Sequence, residues 1–407
     1  MVRLLHTSDW HLGRSLHGRS LLEDQSSALQ RVLELIDRVK PHALLIAGDV
    51  FDRQLPPEGA VSLFDWFLAE AAGRRDLPIF IIPGNHDSCE RLGFASGLLR
   101  QQNVTIFARL SDAFLPVLIQ GDEGREVLIS GIPFVEPLII ARLLGDESLL
   151  TPHLALSALS GKILAERPRD LPHVLLSHAY VVGSESSESE RELFIGGSSL
   201  VQSSAFAGFD YVALGHLHKP QAAGGPNCRY SGSLLQYSKS EVDHIKSVTE
   251  VEIGKRAEQT IVQTRLHAIE PLRRLRSVEG PLQELLTGGA CDSRPNDFII
   301  ATYTDSGAVL DGFLKLRALY PNLLHVARAK RDISISASAH LATDSASHFA
   351  PGSVAGSGPT RAQEMEQLTD LELFGEFFAA VAGERLNEHE ETEMARIFQE
   401  LNRVSPL

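Results

Sequence analysis

Five short polar motifs follow one another along the chain, each just after an apolar run: Asp9-Trp10-His11, Gly48-Asp49, Gly84-Asn85-His86-Asp87, His178 and Gly215-His216-Leu217-His218. Mixed carboxylate, carboxamide and imidazole donors suit Mn²⁺ or a similar borderline divalent cation better than all-oxygen Mg²⁺ sites or thiolate sites. Two such ions, roughly 3.5–4 Å apart, supply an activated water and neutralise phosphoryl oxygens, as phosphodiester hydrolysis requires. Asp9 and His11, as alternate residues of an extended segment, are expected to share a face and ligate one ion together. Gly48-Asp49 sets a carboxylate on a tight turn, where it can bridge both ions. Asn85 offers a carbonyl, and His178, His216 and His218 complete the shells. Taken singly, a D-x-H pair is more often a surface or capping pair, and a Gly-Asp after a strand is usually a turn. The order and placement of the whole series carry the chemistry.

The apolar runs that precede the motifs are the elements that position them. Val2 to Leu5 reads as a short strand. Ala43-Leu44-Leu45-Ile46-Ala47 and Pro78-Ile79-Phe80-Ile81-Ile82 are continuous apolar runs of the kind found in buried strands, and Val127 to Ile132, His173 to Ser177 and Tyr211 to Leu214 follow. Between them, Leu22, Ala28, Leu29, Val32, Leu35, Ile36 and Val39 return to one helical face, and Pro57 opens a second helix carrying Val61, Phe64, Phe67 and Leu68. Strands separated by helices imply an α/β layered core. In such folds sites gather beyond the carboxyl ends of the strands, where all five motifs lie. A buried strand carries such side chains at its exit, not its middle, because of the desolvation cost.

At 407 residues, two or three domains are expected. A hydrophobic fraction of 43% with 22% charged residues describes a globular protein with a sizeable core. No run approaches the roughly 18 apolar residues of a membrane span, and the start of the chain is too short for a signal segment. Three cysteines without a C-x-x-C pair point to a reducing cytoplasm, without structural zinc or a disulfide framework. The net charge of −14 is unevenly spread, much of it in Ser184 to Glu192 and Glu364 to Glu400. It neither supports nor vetoes a nucleic-acid substrate.

After about Arg265 the texture changes. Pro281 to Leu286 and Gly312 to Leu319 read as helices, and Phe298 to Tyr303 and Leu323 to Ala327 as strands of a small α/β module with no catalytic cluster. Residues 335–360 are rich in Ala, Ser and Gly, as in a flexible linker. Beyond it, Leu368, Leu371, Leu373, Phe374, Phe377, Phe378 and Val381 form one apolar helical face, and Met394, Ile397, Phe398 and Leu401 another. These helices are too small to build a core alone, so they are expected to dock elsewhere. No P-loop sequence occurs.

The series D-x-H, G-D-x-x-D, G-N-H-D, H and G-H-x-H resembles the signature of the calcineurin-like metallophosphoesterases. The flanking words His6 to Gly13, Ala47 to Asp52 with Pro56-Pro57, Gly84 to Ser88, Phe194 to Gly197, Tyr211 to Lys219 and Arg229 to Ser233 are similar to the SbcD family of nuclease subunits. This likeness runs to about Ser247; beyond it the layout is shared more than the words. It implies a β-sandwich flanked by helices (1–264), a small α/β DNA-binding cap (265–334), a linker (335–362) and an ATPase-binding helical segment (363–407). Carried over position by position, it implies that Asp9, His11 and His218 hold one metal, that Asn85, His178 and His216 hold the other, and that Asp49 bridges. His86 would act on the leaving oxygen, with the Asp52 carboxylate orienting it; some relatives carry histidine at that position. Arg14, His17 and Arg19, just past the first motif, would touch DNA phosphates or form a solvated loop. Leu373, Phe374, Phe377 and Phe378 would grip the coiled-coil base of an SbcC-type ATPase.

The implied protein is a DNA exonuclease and hairpin endonuclease of repair, replication and recombination. It would be cytoplasmic and nucleoid-associated, with two Mn²⁺ (or Mg²⁺ or another divalent ion), and ATP only through its partner. It would be a homodimer within a heterotetramer, joined through 57–72 and 89–102. Two other readings stand beside it: a phosphatase or nucleotide phosphodiesterase of the same superfamily, and a catalytically silent scaffold. Protein phosphatases of this type usually read G-N-H-E where this chain has Asp87, and a scaffold predicts lost ligands, none of which is missing.

Overall fold

The computed structural model describes residues 1–166, 168, 170–190, 200–256, 259–305, 311–329 and 387–404, together with 371, 372, 374, 375 and 378. Residues 1–332 form one compact unit and 333–407 a second. The first unit is built on two six-stranded sheets. In chain order its main strands are β1 (Val2–Thr7), β2 (Ala43–Ala47), β3 (Ile79–Ile82), β4 (Val104–Ile106), β5 (Val117–Gln120), β6 (Glu126–Ile132), β7 (His173–His178), β8 (Tyr211–Gly215), β9 (Gln221–Ala222), β10 (Cys228–Tyr230), β11 (Ser247–Arg256) and β12 (Gln259–Ala268). One sheet runs β12-β11-β1-β2-β3-β4, the other β9-β10-β8-β7-β6-β5. Within them β1, β2 and β3 are parallel, as are β6, β7, β8 and β10, so their carboxyl ends share one edge.

The strands are apolar without alternation because both faces of each sheet are covered. On β1 and β2, Leu4, Ala43 and Leu45 face inward between the sheets with Phe80, Phe107, Val174, Leu176 and Tyr211. Their neighbours Leu5, Leu44 and Ile46 face outward onto helices α1 (Leu22–Val39) and α2 (Glu58–Leu68). The outer face of the second sheet packs on α3 (Pro137–Leu144) and α4 (Pro152–Ala165). Of the apolar stripe expected for α1, Ala28, Leu29, Val32, Leu35 and Ile36 lie inside, while Leu22 and Val39 at its ends are partly buried.

Strand β12 continues to Ala268, across the expected boundary at 264/265. The chain then forms a three-stranded parallel sheet, β13 (Leu275–Gly280), β14 (Phe298–Tyr303) and β15 (Leu323–Arg328). Helices α5 (Leu282–Ala290) and α6 (Gly312–Leu319) close a small core around Ile299, Ala301 and Leu316. Its other face, with Leu275, Phe298, Ile300 and Leu324, is continuous with the α1 core. Arg273 joins the two, paired with Asp24 at 2.5 Å. The expected linker lies outside the described residues, as do Leu373, Phe377 and the Phe194 to Gly197 motif. In the second unit, α7 (Glu388–Val404) opens on a capping box. There the Asn387 side chain accepts from the backbone N–H of Glu390 at 3.0 Å, and Glu390 accepts from that of Asn387 at 3.0 Å. Among the described residues no helix is long and apolar enough to cross a membrane.

Candidate metal centre

The five motifs converge where β1, β2, β3, β7 and β8 end. Asp9, His11 and His218 bring ligand atoms within 4.8 Å of one another; so do Asp9, Asp49 and His178, and so do His11, Asp49 and His86. Asn85 joins the second group, its Oδ1 lying 2.9 Å from His178 Nε2 and 3.3 Å from His216 Nδ1. Asp49 is central: its Oδ2 lies 3.7 Å from His11 Nε2 and 3.5 Å from His178 Nε2.

The segment after β1 is not extended. Asp9, His11 and Asp49 have φ of 54°, 46° and 50°, in the left-handed region, and His216 has φ 111°. The two loops hold each other in this shape through backbone bonds from Asp9 N to Gly48 O at 3.0 Å, His11 N to Asp49 O at 2.9 Å and Leu12 N to Val50 O at 2.9 Å. Convergence of Asp9 and His11 thus comes from two tight turns rather than strand alternation. A third loop is stapled to these by Asp87, whose carboxylate accepts from Val50 N, Phe51 N and Gly84 N at 2.9–3.0 Å. Burial nevertheless pushes the Asp87 carboxyl up to about 7.

Gly84 and Gly215 leave no room for a side chain. A Cβ on Gly84 would lie 2.2 Å from Asp49 Oδ1, and one on Gly215 would lie 1.8 Å from the Ala47 carbonyl oxygen. The second contact crosses between the sheets. His178 crosses there too, its Nδ1 donating to Ala47 O at 2.9 Å and so leaving Nε2 for a metal.

Electrostatics separates these side chains. Burial holds His216 down to about 3 and keeps His11 and His218 below the ordinary histidine range. Burial would lower His178 as well, but the Asp49 and Asp9 carboxylates outweigh it and lift the ring to about 9. Asp49 is held well below the carboxylate range because His178 and His11 outweigh its burial. Asp9 rises to about 8, through burial first and Asp49 second. The donor set fits divalent cations. His11 Nε2 and His218 Nε2 face each other at 3.1 Å beside a carboxylate, an arrangement that needs a proton or a cation between the nitrogens. A cation binding there would therefore displace protons from Asp9 and His178. Affinity for Mn²⁺ is expected to climb as pH rises from about 6 to 9. Calorimetric titration in buffers of different ionisation enthalpy checks this; a pH-independent affinity without proton release would refute it.

His86 stands apart. Its backbone N–H donates to Asp49 Oδ1 at 2.9 Å, and its Nδ1 donates to the main-chain carbonyl of Asp52 at 2.7 Å. The Asp52 carboxylate, expected to orient His86, lies elsewhere: 3.6 Å from His11 Nδ1 and 3.3 Å from Arg14 Nη1. The reason is the loop path, since Asp52 N is bonded to Leu12 O at 3.2 Å, which turns its carbonyl to the histidine. The proposed phosphate-contacting residues also have internal partners. Arg14 reaches the Ser189 carbonyl at 3.1 Å and stacks over Tyr237. Arg19 donates to Asn322 and Pro321, and His17 stacks on His325 at 5.4 Å. Arg19 and His17 tie the loop after the first motif to the start of β15 in the small parallel sheet.

Sequence reading missed Ser189, Glu190, Glu241 and Lys246, all of which surround His218. The first two lie in a stretch legible only as acidic surface; its mixture of Ser with Glu in Ser187-Glu188-Ser189-Glu190 was the one available signal.

Residues 2–220 match the profile of calcineurin-like phosphoesterases, and residues 271–382 match that described as the type 5 capsule protein repressor C-terminal domain. The chain belongs to the calcineurin-like metallophosphoesterases. A curated protein, the SbcD subunit of the SbcCD nuclease from Staphylococcus epidermidis, is 30% identical over 335 residues, covering 82% of this chain and 87% of that one. Within the class, the family is that of the SbcD nuclease subunits. Similar solved structures include a dimetal phosphatase from Danio rerio, at 12% identity over 67% of this chain and 98% of that one with TM-score 0.39. A Thermus thermophilus protein matches at 16% identity over 64% and 98%, with TM-score 0.35.

Proposed function

We propose that this chain is a Mn²⁺-dependent DNA nuclease, cutting duplex ends and hairpins as a homodimer with an SbcC-type coiled-coil ATPase. The observation that carries the reading is the convergence of Asp9, His11, His218, Asp49 and His178 in overlapping clusters, with His86 at their edge and its Nδ1 taken by the Asp52 carbonyl. Asp9, His11 and His218 would hold one ion, Asn85, His178 and His216 the other, and Asp49 both. Ions held there would supply an activated water and neutralise the phosphoryl oxygens. Asp49 also anchors the His86 main chain, and the Asp52 carbonyl fixes a proton on Nδ1. As the water oxygen bonds to phosphorus and the P–O bond to the departing strand breaks, the other nitrogen of His86 gives its proton to the leaving alkoxide. The deciding experiment compares linear duplex and hairpin DNA with p-nitrophenyl phosphate, all with Mn²⁺. DNA cleavage is expected; turnover of the monoester alone would overturn the reading.

The apolar helical face near the end of the chain is the proposed grip for the ATPase. Phe374 and Phe378 pack ring to ring at 6.2 Å on it. Removing residues 361–407 is expected to abolish co-purification with the ATPase while basal Mn²⁺-dependent cleavage continues. A complex that survives the deletion would sink the assignment. For the homodimer, exposed Val61, Phe94 and Leu98 lie in the two stretches proposed to join the copies.

A further inference from the structure

We infer that Ser189, Glu241 and Lys246 form a relay that positions His218 as a metal ligand, an inference that rests on the metal reading above. Every polar group of His218 except one ring nitrogen is engaged by this cluster and its neighbour Glu190. The His218 main-chain N–H donates to Glu190 Oε1 at 2.6 Å, and its carbonyl accepts from Lys246 Nζ at 2.9 Å. Its Nδ1 lies 2.7 Å from Ser189 Oγ. The Ser189 hydroxyl donates in turn to Glu241 Oε1 at 2.5 Å, so Ser189 accepts from Nδ1–H. Glu241 has no exposed surface, and its other oxygen receives Lys246 Nζ at 2.5 Å. Lys246 also donates to Ser233 Oγ at 2.9 Å.

The consequence is a choice of tautomer. A hydroxyl that has given its proton to a carboxylate can only accept, so the proton on His218 stays at Nδ1 and the lone pair at Nε2. That Nε2 faces His11 Nε2 at 3.1 Å, where the first ion would sit. A carboxylate behind an imidazole fixes its orientation and raises its basicity as a ligand. The Asp52 carboxylate lies 3.6 Å from His11 Nδ1, too far for a hydrogen bond, and His178 Nδ1 is backed by the neutral Ala47 carbonyl. Of these three rings only His218 is hydrogen-bonded through Nδ1 to a chain that ends on a carboxylate. The lysine is needed because a buried carboxylate without a cation would be costly. None of the three touches the reacting atoms; they are positioning residues.

The test uses the full chain with Mn²⁺ alone as the probe. Ser189→Ala removes the 2.7 Å link and leaves Nδ1 only the longer 3.4 Å contact with Glu241 Oε1, while the Glu241–Lys246 ion pair stays intact; Ser189→Thr restores a hydroxyl. Calorimetry should show two ions bound by the wild type. Ser189→Ala should weaken one of them by about 10–100-fold, with the other unchanged, and Ser189→Thr should recover most of the loss. In the metal-free protein, ¹⁵N shifts should show His218 protonated at Nδ1 alone, and a mixture of tautomers in Ser189→Ala. Unchanged affinity and an unchanged tautomer would overturn the relay. So would equal weakening of both ions together with a lower Tm, which would mean a merely structural role. If the wild type itself binds no Mn²⁺, the metal reading falls and takes the relay with it.

Discussion

His86→Ala is expected to bind two Mn²⁺ as the wild type does and to cut linear duplex DNA about 10²–10⁴-fold more slowly, the usual worth of a positioned general acid. The bonds of His86 explain the separation of the two effects. Its Nδ1 is committed to the Asp52 carbonyl and its main chain to Asp49, so truncating the ring removes a proton donor and leaves the Asp49 contact in place. The same variant should be much less impaired on bis(p-nitrophenyl) phosphate, whose leaving group needs no proton. His86 lies within reach of ligand atoms of His11 and Asp49, so the opposite result is informative. Loss of an ion in the calorimeter, or equal impairment on both substrates, would make His86 a ligand instead of an acid.

Gly215→Ala should damage the centre without altering any donor. The added methyl would meet a backbone oxygen of the other sheet at 1.8 Å and the His178 ring at 2.8 Å. Neither is the free end of a flexible side chain, so β2 and β8 must separate where Asp49, His178 and His216 are held. Overpacking of a rigid core costs on the order of 3 kcal/mol. At about 1.5 °C per kcal/mol for a unit of this size, Tm should fall by about 4 °C. Mn²⁺ binding should be lost with it. A variant with wild-type Tm and two bound ions would show that the sheets do not meet so closely.

Much of the centre was legible because each motif follows a strand whose apolar run announces it, and the exit of a buried parallel strand is where polar groups can gather. The two-sided burial of Leu44 and Leu45 is the same fact seen in packing. What escaped reading has physical causes. Strands β11 and β12 carry charges such as Glu250, Glu252 and Arg265 among their apolar residues, so they lack the continuous run of a buried strand. Helix α4 mixes Leu and Ala on several sides, which hides its face, although Thr151 caps it and Ala155, Leu156, Leu159 and Ile163 are buried at helical spacing. Glu241 is 23 residues from His218 and Ser189 is 29 away, so no local pattern joins them. The Asp52 role changed because sequence names the side chain, whereas the fold uses the carbonyl.

The left-handed turns at Asp9, His11 and Asp49 have a consequence for protein engineering. Such backbone conformations are disfavoured for residues other than glycine by about 1–3 kcal/mol each, and survive only where surrounding structure over-determines them. Here that surrounding structure is the reciprocal bonding of two loops and the Asp87 staple. The ligand set is accordingly not portable. Grafting these side chains onto the strand ends of another α/β scaffold would reproduce the chemistry's inventory without its grip, because the grip belongs to the peptide groups between the ligands.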